Sequence, residues 1–494
     1  MKRIMWKLLA IIQAALISLT ISAQENLHDL MKKTLDETSL PLVNLSVDIS
    51  KMSRDSFVMG ELEISDYWRR TDTSAVTVRL FCKLRYRGAS ATAFDKKSFA
   101  VKLVDELGDD FSADLFGIRK ENSWILDAMA IDRTRMRNRV CFDVWNAMSR
   151  TPYATPYDER NGTEGVFVEV FVNGDYQGLY CLTDKIDRKL LDLKKAKPDK
   201  LGGVEVRGLL YKGIGWNDYS DIWLRSYQDA DTGAATWNSW ELQYPDRYPS
   251  ADTWQPLMDL IDFCSEEDAD AFATCYEDYF YPDNLVDYVV FTWALNVGDN
   301  AYKNTFLSTV DISQAHRYLL TPWDMDMSLG GRWNGDIDER LADVSRYDSV
   351  APFNRLLADD VGNFRLRLKN RWTELYTTLF APDSIARRLD GYATRFQASG
   401  AWEREVARWG GNPVPLKASI EEELAYVKDW YRRNFNHLCA HFETDPLAGI
   451  GSRFLSPMPL TGIYTLDGRK IAPRGLHGLA KGIYVVNGRK VVVR

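Results

Sequence analysis

The sequence predicts an α+β protein, with a strand-rich N-terminal half followed by a helix-rich C-terminal half. Two observations carry this. Residues 43–103 contain LSVDI, FVMGELEI, VTVRLFCKLRYRG and SFAVKLVD, which are β-branched and aromatic runs with period-two character. From residue 251 onward helical spacing dominates, over 254–266, 269–279, 284–295, 353–379 and 382–442. A third observation bounds the organisation. At 494 residues the chain is too long for one ordinary core, so two or three domains are expected.

The N-terminus reads as a signal peptide over 1–23. Lys2, Arg3 and Lys7 give a basic start, residues 8–21 are apolar, and Ile21-Ser22-Ala23 supplies a small-residue cleavage site. The apolar run of about 14 residues is short of the ~20 that span a bilayer. No cysteine stands at the cut, which argues against a lipid anchor, and no later segment is long and apolar enough to span. The expectation is an exported protein, in the periplasm, on the cell surface or secreted.

Residues 24–79 read as a leader and β extension, with a short amphipathic helix over 27–35 and an extended run over 40–49. SWILDAM then reads as a buried strand. Residues 133–149 switch to helical spacing, with Met136, Val140, Val144 and Met148 on one face. FVEVFVNGDYQGLYCLT is a hairpin around Asn173-Gly174-Asp175. Residues 187–202 read as a charged loop, and 203–245 as irregular and rich in Trp and Gly. Two strand-like pieces, KNTFLSTVD and HRYLLTPWDMD, interrupt the helices. Residues 445–456 read as a linker. Beyond it, Gly462-Ile-Tyr464-Thr-Leu-Asp-Gly468 is echoed by Gly482-Ile-Tyr484-Val-Val-Asn-Gly488, so 457–494 reads as a small all-β module. A module of that size buries little apolar surface alone.

The net charge of −8 argues against a dedicated nucleic-acid binder, which needs a basic face. None of the six cysteines forms a CxxC pair, so a structural zinc site is not expected. Export permits disulfides, with Cys264 and Cys275 the best-placed pair, although scattered cysteines in a large domain more often read as buried thiols.

Three features could carry chemistry. In Asn296-Val-Gly-Asp299-Asn-Ala-Tyr-Lys-Asn304, an Asp precedes an Asn by five residues between a helix and a strand. Asp299 can accept a proton from an attacking hydroxyl, and Asn304 can offer an oxygen to a metal held against phosphates. The same residues also serve ordinary turns. In Pro322-Trp323-Asp324-Met325-Asp326 the two carboxylates share a face if the segment is extended. Unpaired burial would be costly, and a hard cation such as Mg²⁺ or a partner Arg would remove that cost. Upstream, Arg85-Tyr-Arg87-Gly88-Ala-Ser90-Ala-Thr92 leads to Lys96-Lys97-Ser98. Such a loop lets backbone N–H groups and hydroxyls approach phosphates. Lys96, Lys97 or Lys185 could add charge. A plain hairpin with surface lysines reads equally well.

RYRGASATAFDKKSFAVKL, WILDAMAIDRTRMRNRV, FVEVFVNGDYQGLYCLTDKIDR, NVGDNAYKN and PWDMDMSLGG occur in the order seen in the CotH family of spore-coat-protein-H-like atypical kinases. The chain resembles that family over 80–390, leaving 391–444 as a helical extension. The resemblance implies a divergent protein-kinase-like two-lobe fold, with a β-rich N-lobe and a helical C-lobe, that binds ATP with Mg²⁺. It implies phosphorylation of Ser or Thr on secreted or cell-surface proteins. By the same resemblance Asp299 is the catalytic-loop Asp, Asn304 the metal Asn and Asp324 the metal Asp, with Asp326 beside it. Arg87, Gly88 and Ser90 belong to the phosphate loop. Lys97, Lys102 and Lys185 remain open as the nucleotide lysine. Residues 457–494 resemble the sorting tails of exported Bacteroidetes proteins, which implies contact with secretion machinery. Two other readings stand beside the kinase. One is a non-catalytic secreted scaffold or glycan- or protein-binding module, with the Trp-rich 216–254 stretch as its contact surface. The other is a metal-dependent hydrolase using Asp299, Asp324 and Asp326, for which five histidines give a thin ligand set.

Overall fold

The structure is a computed structural model. It describes residues 38–449 except 67–75, 89, 154–158, 199–202, 216–222, 224–230, 247 and 266–267. Beyond these it describes the backbone of four short strands, Ile463–Thr465, Lys470–Ile471, Gly482–Val486 and Arg489–Val493, which form one sheet. The signal segment 1–23, the 27–35 helix and most of the 445–456 linker lie outside the described residues.

The strand-like N-terminal runs close into a seven-stranded barrel. Its order is Leu42–Val47, Val58–Asp66, Val76–Arg87, Ser98–Val104, Ser123–Asp127, Asp175–Thr183 and Gly165–Val172. Neighbours are antiparallel except at the seam, where Leu42–Val47 runs parallel to Gly165–Val172 with Leu45 opposite Val172. Period-two sequence makes this possible. Val43, Leu45, Leu62, Ile64, Cys82, Leu84, Val101 and Leu103 alternate inward and fill the lumen with Trp124 and Tyr180. Asn173 and Gly174, both at positive φ, make the tight turn of the last hairpin.

The second half is mixed. Residues 203–245, expected to be irregular, supply three strands of a five-stranded sheet: Thr236–Trp237, Trp240–Tyr244, Leu209–Ile214, Lys303–Asp311 and Ala315–Pro322, in that order. The alternation signal fails there because Leu209, Leu210 and Tyr211 are all buried in succession, as in a strand covered on both faces. Around this sheet pack Ala251–Ser265, Ala269–Tyr279 and Pro282–Leu295, then Phe353–Ala358 and Phe364–Leu375, and finally Pro382–Ala398, Ala401–Trp409 and Ile420–His441. The expected long helices are broken where Asp360, Asn363 and Gly400 take positive φ.

The mixed α+β class holds, but the two-lobe division into a β-rich N-lobe and a helical C-lobe does not. The β half is a closed barrel, because the strand at 42–47 covers what would be a free edge. Its outer face is also continuous with the helical core. Ile125, Phe167, Leu179 and Cys181 belong to the same apolar cluster as Phe291, Trp372 and Trp430. Phe167 meets Tyr392 and Phe396 edge-on, each at 4.8 Å between ring centres.

A buried ion network ties barrel to helix. Glu405, on Ala401–Trp409, accepts from Lys96 Nζ at 2.6 Å, Arg135 Nε at 2.7 Å and the Leu179 N–H at 2.7 Å. All three charged side chains are fully buried. Burial, with Arg135 beside it, holds the Lys96 ammonium down at about 7, against the pull of Glu405. Gly178 makes room for this contact, since a Cβ there would stand 2.2 Å from Glu405 Oε2. All six cysteines are free thiols and five are buried, as scattered cysteines in a large domain more often are; the candidate Cys264–Cys275 pair is not formed. Among the described residues no helix is long and apolar enough to cross a membrane.

Candidate active site

Helix Pro282–Leu295 delivers the first loop. Asn296 ends it in the left-handed conformation at φ 49°, and Asp299 opens a short 3-10 turn, Asp299–Ala301. Asp299 Oδ2 pairs with Lys303 Nζ at 3.0 Å and accepts from Asn304 Nδ2 at 3.4 Å. Asn304 sits at φ 53°, at the start of strand Lys303–Asp311. Its carbonyl accepts the Trp323 N–H at 2.8 Å, so the Asp299–Asn304 loop is joined directly to the 323–326 segment.

Asp324 is also left-handed, at φ 56°. Non-glycine residues pay for this conformation and keep it where the surroundings demand it, commonly at functional sites. The segment is therefore kinked rather than extended, and a shared strand face does not explain how the two carboxylates meet. They meet nonetheless. Burial holds the Asp326 carboxyl well above the usual carboxylate range, and Asp324, Asp127, Asp132 and Asp299 push it the same way. Asp299, Asp324 and Asp326 thus share one electrostatic environment. Asp324 itself is exposed and lines a cleft with Arg87, Asp127, Asn138, Thr163 and Trp323.

The cationic residues divide. Arg87 ends barrel strand Val76–Arg87, and its guanidinium lies 5.2 Å from the centre of the Trp323 ring. Burial lowers its pKa, against the pull of Asp127 and Asp324. Lys97 instead turns back on its own loop and donates to Thr92 O at 2.6 Å. Lys102 pairs with Asp110 at 2.6 Å. Lys185 is exposed, and its charge acts on Asp187. Lys96 is consumed by Glu405. Gly88 takes φ 107°, with a would-be Cβ 2.8 Å from Ala91, so the loop needs glycine. Ser90 opens the 3-10 turn Ser90–Ala93; its side chain lies outside the described residues. The structure therefore brings Asp299, Asn304, Asp324, Asp326 and Arg87 together, and directs Lys97 and Lys185 elsewhere.

Four site residues carried no role in the sequence reading. Asn138, on helix Arg137–Met148, accepts the Met325 N–H at 3.2 Å and donates to Asp127 Oδ2 at 3.1 Å. It links the barrel strand Ser123–Asp127 to the carboxylate segment. Asp132 caps the same helix, accepting the N–H groups of Thr134, Met136 and Arg137. Buried Asn300 donates to both Asn304 O at 2.6 Å and Trp323 O at 3.1 Å, stapling loop to segment. The only hint was polarity: Asp127 and Asp132 flank an otherwise apolar stretch, and Asn300 lies between two singled-out residues. Asn300→Ala is expected to lose about 1–3 kcal/mol of stability, because the Trp323 carbonyl is left without its donor. Urea unfolding measures this, and a loss under about 0.5 kcal/mol contradicts the staple.

The site also suits a magnesium ion. Among the described residues no three His, Cys, Asp or Glu side chains form a cage of their own. Mg²⁺ does not need one, since it commonly takes one or two carboxylates and completes its shell with water and substrate phosphates. Besides burial, neighbouring carboxylates raise Asp326, and such an ion would offset their charge.

A family model described as CotH kinase protein matches residues 84–438. The comparison with curated proteins finds no match.

Proposed function

We propose that this chain, which belongs to the CotH kinase protein family, is an exported kinase that transfers the γ-phosphoryl group of ATP to Ser or Thr of secreted or cell-surface proteins. One observation carries the reading. The Asp299–Asn304 loop and the Asp324–Asp326 segment are held together by Trp323 N–H and Asn300, beside a cleft that also holds Arg87.

In this reading the acceptor hydroxyl oxygen attacks the γ-phosphorus, the bond to the β–γ bridging oxygen breaks, and ADP leaves. Asp299 takes the hydroxyl proton. Lys303 and Asn304 fix the carboxylate that receives it. Asn304 and Asp324, with Asp326 behind, would hold Mg²⁺, which neutralises charge on the phosphates. Arg87 supplies the fixed positive charge, and its planar fork suits phosphate oxygens better than a lysine ammonium does. The basic and apolar start of the chain supports export, and the net charge of −8 speaks against a nucleic-acid partner. The tail over 457–494 is the segment we assign to secretion machinery.

The test is transfer of labelled γ-phosphate from ATP, with Mg²⁺, to a generic acceptor protein. The wild-type chain is expected to label the acceptor and Asp324→Ala to fall to background. Equal labelling by the two proteins would remove Asp324 from the reaction, and no labelling by either would end the kinase reading.

A further inference from the structure

A further cation acts on Arg87 and Asp324 from an element the sequence did not reveal. Lys212 lies on strand Leu209–Ile214 of the five-stranded sheet, directly opposite Phe306 on the neighbouring strand. Residues directly opposite across an antiparallel pair project from the same face. Phe306 meets the Trp323 ring edge-on at 5.7 Å between centres, and Arg87 lies over that same ring. Lys212 therefore issues from the face that carries Trp323, one residue before Asp324.

Its charge acts where that geometry places it. Burial lowers the Lys212 pKa, Arg87 lowers it further as a like charge, and Asp324 and Glu241 pull against both. The Lys212 ammonium makes no ion pair or hydrogen bond to a described residue. Glu241, opposite it on the other neighbouring strand, acts on it as a charge without forming an ion pair. A partly buried ammonium without a paired carboxylate, near a second partly buried cation, is a costly arrangement for a fold to keep. An anion entering between the two relieves it.

We propose that Lys212 is a second phosphate ligand, reaching ATP from the five-stranded sheet while Arg87 reaches it from the barrel. The inference rests on the kinase reading and adds a contact to it. The two cations approach from different parts of the fold, so the phosphates of one nucleotide would bridge them.

Calorimetric titration with ATP and Mg²⁺ tests it on the full chain, using Lys212→Met, Lys212→Gln and Lys212→Arg, each checked for folding by circular dichroism. Losing a charge-assisted phosphate contact is expected to weaken binding about tenfold or more in the Met and Gln variants. Lys212→Arg is expected to stay within about threefold of wild type, because the charge is kept. Met and Gln variants within about twofold of wild type would overturn the inference and leave the kinase reading intact. An Arg variant as weak as Met would also overturn it, by showing that charge is not what Lys212 supplies. A wild-type chain that binds no ATP at millimolar concentration would overturn both.

Discussion

Glu405→Ala is expected to lose about 3–5 kcal/mol of stability, the range for removing one partner from a buried ion pair. The loss is large because Glu405 serves two cations. Without it the Lys96 ammonium and the Arg135 guanidinium are left in a dry interior with no counter-charge. Arg135 keeps three backbone carbonyls, from Met129, Ala130 and Asp132, while Lys96 keeps Leu179 O and the face of the Tyr180 ring. The Leu179 N–H loses its acceptor as well. Against a typical total of about 5–15 kcal/mol, this is a substantial fraction. Glu405→Gln retains shape and hydrogen bonding and should lose less. Urea unfolding of the three proteins measures the difference. A loss under about 1 kcal/mol for the alanine variant would mean that the network is not holding helix Ala401–Trp409 to the barrel.

Asp299→Ala is expected to slow phosphoryl transfer by about 10²–10⁴-fold, the usual contribution of a positioned general base. ATP affinity should hardly change. In the proposed reaction the carboxylate acts on the acceptor proton as the transition state forms, so its removal would lower turnover without removing ground-state binding. This separates Asp299 from Arg87 and Lys212, whose loss should appear in affinity. Turnover and ATP dissociation constant, measured together, decide the matter. A fall in affinity matching the fall in rate would make Asp299 a binding residue rather than a base.

The barrel strands were legible because each alternates, as Val43, Leu45 and Leu62, Ile64 show. Closure was not legible, because it depends on a parallel pairing across more than a hundred residues, and no local pattern encodes such a partner. The sheet strand Leu209–Ile214 escaped for a different reason. Burial on both faces erases alternation, and with it went Lys212. Within the site, Asp299, Asn304 and Asp324 could be named from spacing and resemblance. Arg87 stood only as one of several candidate cations, and the structure singles it out by placing it over Trp323. Asn138 and Asn300 act through backbone groups of residues far away in sequence, which spacing cannot show. The left-handed conformations of Asn304 and Asp324 were equally hidden, since neither residue type announces its φ.

The parallel seam also constrains the order in which the molecule can be assembled. The barrel cannot close until residues 165–172 are available to pair with 42–47, and the Lys96–Glu405 contact joins residues 309 positions apart. Contacts of such separation require long loops to be ordered first, so they form late and slowly. A chain emerging N-terminus first would expose unpaired barrel edges until residues 165–172 arrive. Such intermediates are prone to aggregate. If the chain is exported as proposed, this delay would keep it extended during translocation and would place completion of the fold after passage.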